Sequence, residues 1–175
     1  PTRRSSDLQV RLYRSTDLRE WHDEGIFAEA DEGKGFMWEC PDFFPLGEKR
    51  ILMFSPQGMA AEGYHYRNLF QSGYLLGDWQ PGQPFTHSGQ FTELDHGHDF
   101  YAPQSFVTPD GRRIVIGWLD MWESPMPEQQ DGWAGMLSLP RELSLVDDDR
   151  VRMKPAAEVT ALRGCYYPTP VRCLN

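Results

Sequence analysis

Glu39 sits within Phe36-Met37-Trp38-Glu39-Cys40-Pro41-Asp42-Phe43-Phe44, among aromatic side chains, a thiol and a proline that keeps a helix from crossing it. A carboxyl group in such company loses hydration, which favours its neutral form, and a neutral carboxyl near pH 7 can act as a general acid. The plainer alternative is a strand-end carboxylate paired with an arginine. A second group is Asp95-His96-Gly97-His98-Asp99, whose imidazoles and carboxylates are zinc-type ligands. On an extended strand His96 and His98 share a face while Asp99 points away, so the spacing argues against a metal site, and no cofactor is expected.

The elements that must position these groups are short. With 14 Pro, 16 Gly and 6 Trp in 175 residues, and little helical periodicity, the chain reads as an all-β domain of many short strands joined by turns. A net charge of -9, with 17 basic residues in no long run, disfavours nucleic acid and anionic membrane surfaces and leaves a neutral ligand as the easier partner. No apolar run approaches the roughly 20 residues of a spanning helix, and no charged-then-apolar leader is read. Cys40, Cys165 and Cys173 are too scattered for a disulfide framework or a zinc spacing, which points to a reducing compartment, the cytoplasm.

Along the chain, Val10–Ser15 alternates as a half-buried strand does. Asp17 is suited to carry the following turn, and Trp21 is expected to pack on the next layer. Residues 41–56 then resemble residues 103–118: Pro41 aligns with Pro103, Phe44 with Phe106, the Gly47 turn with Asp110-Gly111, and Ile51-Leu52-Met53 with Ile114-Val115-Ile116. An internal repeat of this size is the mark of four-stranded propeller blades, with two similar hairpins of a sandwich as the alternative. Phe70 to Trp79, followed by Phe85 and Phe91, supplies outer strands between the copies. Asp120–Trp133 is a long polar loop with aromatic residues, and Pro155–Leu162 is expected to be a short helix.

Three stretches together resemble the β-fructofuranosidases of glycoside hydrolase family 32, which include bacterial sucrose-6-phosphate hydrolase and invertase. They are Trp38-Glu39-Cys40-Pro41-Asp42, Asp95 through Asp99-Phe100-Tyr101-Ala102-Pro103-Gln104, and Gly117-Trp118 through Trp122 to Glu142. The resemblance implies a five-bladed β-propeller followed by a β-sandwich. Of these the chain would hold a partial propeller of about two to three blades over residues 1–163, with a tail or truncated linker at 164–175 and the sandwich absent.

It also implies a retaining glycosidase site cleaving sucrose, sucrose 6-phosphate or a related fructoside, with Glu39 as the acid/base. Asp99 and Tyr101 are expected to approach Glu39 and help set its protonation, and Trp38 and Trp118 to present an apolar face to the sugar. The family's nucleophile comes from an Asn-Asp-Pro-Asn motif and a stabilising aspartate from an Arg-Asp-Pro motif. Neither occurs in these 175 residues, so an internal fragment without activity of its own is the expectation. A non-catalytic carbohydrate-binding or interaction module is the rival reading.

Overall fold

The computed structural model describes residues 8–30, 33–87, 90–147 and 149–164. Twelve antiparallel strands and two 3-10 turns make up the regular structure among them. Strands β1 (Gln9–Arg14) and β2 (His22–Glu29) form a two-stranded ribbon. The first sheet orders β3 (Met37–Leu46), β4 (Lys49–Gln57), β5 (Gly73–Asp78) and β6 (Thr86–His87), with β7 (Thr92–Glu93) also on β5. The second holds β8 (Tyr101–Val107), β9 (Arg113–Leu119), β11 (Arg141–Val146) and β12 (Arg150–Pro155), with β10 (Met136–Leu137) beside β9.

The run Ile51-Leu52-Met53-Phe54 shows why these sheets stack. Successive strand residues point to opposite faces, and here both faces are covered. Leu52 and Phe54 join Phe27, Leu75, Phe85 and Phe91 in a core under the β1–β2 ribbon. Ile51 and Met53 join Phe44, Tyr74, Val115 and Leu143 in a second core against the β8–β12 sheet. Full burial of each such side chain contributes about 2 kcal/mol, so each sheet is stabilised by its neighbour. The result is all-β, part of a propeller, with two five-stranded blades flanked by a ribbon.

The repeat read from the sequence is real at the level of register. Phe44 pairs with Ile51 and Phe106 with Ile114, each the same hairpin in its own blade. Asp17 carries its turn, with Oδ1 accepting the N–H groups of Arg19 and Glu20. One local expectation fails and one holds in part. Trp21 is largely exposed, because the apolar layer under the ribbon is filled by Phe27 and Ala28 instead. The short helix expected over Pro155–Leu162 is the 3-10 segment Ala157–Leu162, and Pro155 ends β12 instead of opening it. Cys165 and Cys173 lie outside the described residues, as does most of the expected tail. No helix among the described residues is long and apolar enough to cross a membrane.

Candidate active site

Glu39 and Tyr101 hold the same place in the two blades. Each lies on its blade's first strand, immediately before a non-glycine residue with left-handed backbone, Cys40 at φ 50° and Ala102 at φ 48°. Each strand slips there: pairing jumps from Glu39↔Ser55 to Asp42↔Met53, and from Tyr101↔Trp118 to Gln104↔Ile116. Left-handed backbone costs about 1–2 kcal/mol outside glycine, so surrounding bonds must enforce both bulges.

Those bonds run between the blades. Ala102 N–H donates to Ser55 Oγ at 3.1 Å, Gln104 Nε2 to the Cys40 carbonyl at 3.1 Å, and Ser105 donates from N and Oγ to Asp42 Oδ2 at 2.8 and 2.7 Å. Ser55 is fully buried and shares a further hydrogen bond with Ser72.

With the two bulges locked together, Tyr101 Oη donates to Glu39 Oε2 at 2.8 Å and accepts from Gln57 Nε2 at 3.1 Å. Tyr101 and Gln57 are buried and Glu39 is half-buried. Burial pushes the Tyr101 phenol upward; the bond from Gln57 opposes this, and the hydrogen bond and charge of Glu39 add to it. The phenol therefore stays a donor near neutral pH. The Cys40 thiol is also raised, by burial and then by the charge of Glu39, so it is a poor nucleophile. Glu39 Oε1 has no hydrogen-bond partner among the described residues.

The other expected site residues are placed unequally. Trp38 is half-buried, stacks on Phe54 with centroids 4.1 Å apart and donates Nε1 to the Lys34 carbonyl. Trp118 pairs across from Tyr101 and stacks parallel on Trp122, at 6.2 Å and 5°. Asp99 makes no hydrogen bond to Glu39: it is buried, with φ 52°, and its carboxylate faces His98 Nδ1 at 3.3 Å. The chain bends between Asp95 and Phe100 where a strand was expected, and this sends His96 to Glu93 and His98 to Asp99 instead of to one shared face. Among the described residues no group of three or more His, Cys, Asp or Glu side chains is arranged to hold a metal ion.

Sequence reasoning missed Gln57, Ser55 and Asp42, which hold the Glu39–Tyr101 pair, and Trp122, whose half-exposed ring lies edge-on to Tyr101 at 5.3 Å. Gln57 closes β4 after the apolar run Ile51–Phe54, and that polar end was its only signal.

Residues 2–155 match the model of the glycosyl hydrolases family 32 N-terminal domain. The chain belongs to that family. It is 61% identical over 167 residues to a sucrose-6-phosphate hydrolase of Escherichia coli, and 53% identical over 169 residues to a raffinose invertase of the same species. These alignments cover 95% and 96% of this chain but 35% of each relative, so it spans about a third of the curated relatives' length. Among solved structures, a Bombyx mori β-fructofuranosidase superimposes with a TM-score of 0.85 at 44% identity, covering 90% of this chain and 34% of that one.

Proposed function

We propose that this chain supplies the proton-transferring half of a retaining β-fructofuranosidase site, with sucrose, sucrose 6-phosphate or a related fructoside as substrate. The observation that carries this is the 2.8 Å hydrogen bond from Tyr101 to Glu39 Oε2, which fixes one carboxyl oxygen and leaves Oε1 without a partner among the described residues. In the first half-reaction Glu39 gives its proton to the glycosidic oxygen as the bond to the anomeric carbon breaks. In the second it takes a proton from the water that releases the fructosyl group.

Tyr101 positions Glu39. Trp38, Trp118 and Trp122 supply apolar surface for the sugar, and Asp99 a buried acceptor for one of its hydroxyls. The nucleophile is an aspartate of the Asn-Asp-Pro-Asn type, which these 175 residues do not contain. Residues 1–163 form the catalytic-domain part and 164–175 a linker. Cys40, free and exposed, supports a reducing location such as the cytoplasm.

The test is a graft. This chain replaces the matching third of the Escherichia coli sucrose-6-phosphate hydrolase, and sucrose hydrolysis is assayed for the graft and for the chain alone. The graft is expected to be active and the isolated chain inactive. Robust turnover by the isolated chain would overturn the need for an outside nucleophile, and an inactive but folded graft would overturn the site assignment.

A further inference from the structure

A cleft of about 630 Å³ lies between the turn Glu62–Tyr66 and the segment 90–93. Register places it on the Glu39 end of the first blade. Glu93 pairs with Gly73 and Gly73 with Phe54, one residue from Ser55, the partner of Glu39. Three strand spacings separate the two carboxylates, roughly 14 Å. Glu39 does not line the cleft.

The cleft is built, not a surface dent. Glu62 and His65 exchange backbone hydrogen bonds, which puts Gly63 and Tyr64 at the tip of a tight hairpin. Tyr66 has φ 56°, a left-handed conformation that an aromatic residue holds only when forced, and its N–H is pinned at 2.9 Å by Glu93 Oε1. The Glu93 side chain is only 6% exposed, and its Oε2 faces Nδ1 of His65 at 3.0 Å and of His96 at 3.6 Å. Each imidazole keeps its second ring nitrogen without a protein partner among the described residues. Tyr64, at the rim, is 95% exposed and has no packing role.

An aromatic face beside a fixed carboxylate and two imidazoles is what a saccharide needs: ring C–H groups lie on the aromatic, and hydroxyls pair with the polar groups. Charge narrows the ligand further. Glu62 and Glu93 line the cleft and no lysine or arginine does, Arg67 being turned to the Gly63 carbonyl, so a phosphate finds no lysine or arginine in the lining to pair with. We propose that this cleft is a second carbohydrate site, which takes a neutral sugar unit on Tyr64 and binds its hydroxyls through His65 and His96, the two imidazoles that Glu93 orients. The proposal concerns binding alone and stands whether or not Glu39 transfers a proton.

The experiment follows the imidazole proton resonances of this chain during titration with sucrose and raffinose, and separately with inorganic phosphate and glucose 6-phosphate. Both neutral sugars are expected to give saturable shifts at His65 and His96, with His22 and His98 unmoved. Tyr64→Ala, at a solvent-exposed hairpin tip, is expected to weaken that binding about fivefold, equivalent to roughly 1 kcal/mol. His96→Ala should weaken it as well. Four results would overturn the site: no saturable shift up to about 0.1 M sugar, shifts with the phosphorylated probes only, equal shifts at all histidines, or sugar binding unaffected by Tyr64→Ala.

Discussion

The two blades use one backbone device for two different side chains. Glu39 and Tyr101 are 62 residues apart, each precedes a left-handed residue, and each strand bulges at the same step of its hairpin. In the first blade the bulge presents a carboxylate, in the second the phenol that holds it. The blades differ beyond the bulge too. The Glu39 partner on β4 is Ser55, small and bonded to the second blade, whereas the Tyr101 partner on β9 is Trp118, large and stacked on a loop tryptophan. Repetition therefore supplies the backbone geometry, and single side chains at equivalent positions make the two bulges differ.

That equivalence can be broken from either side. Removing the phenol has the largest expected effect. In the active graft Tyr101→Phe takes away a hydrogen bond to a charged group, about 1.5–3 kcal/mol, and kcat on sucrose should fall roughly 10- to 100-fold. The same variant changes alkaline stability. The folded phenol titrates above its unfolded value near 10, so its contribution is complete below that pH and is lost as pH rises through the raised folded value. The decline in urea midpoint above about pH 10 should be shallower in Tyr101→Phe.

A smaller contrast compares Asp42 with Gln104, which follow the bulge at matching positions. Asp42→Ala removes both bonds from Ser105, one of them to a backbone N–H, and should cost about 2 kcal/mol, whereas Gln104→Ala, which loses one bond across the blades to the Cys40 carbonyl and one to the adjacent Pro103 carbonyl, should cost about 1 kcal/mol. If the bulges are one device, Cys40→Gly and Ala102→Gly should each stabilise by a similar amount, up to about 1 kcal/mol, since glycine relieves the left-handed penalty at some cost in unfolded-state entropy. A gain at one site and a loss at the other in urea denaturation would show that the bulges are unrelated.

Much of this architecture was legible because its signals are local. Apolar alternation, turn residues and the recurrence of Pro41 at Pro103 and Phe44 at Phe106 all lie within single hairpins. The bulges were not legible, because their left-handed positions carry Cys and Ala in place of the glycine or asparagine that would announce them. Glu39 was visible from its neighbours, and Tyr101 from its motif. The seam between them was not, because Ser55, Gln57 and Asp42 act through contacts about 44 to 63 residues distant in sequence, which no local pattern encodes. His96 and His98 were misplaced for the opposite reason: period-2 reasoning was applied to a segment that bends.

If Glu39 moves the proton, the rate must depend on the leaving group. In the graft, Glu39→Gln should lower the rate on sucrose by about 10³-fold, while a β-fructosyl substrate whose leaving group needs no proton should lose less than about tenfold in its first half-reaction. Equal losses on both substrates, or a near-normal rate on sucrose, would contradict the assignment.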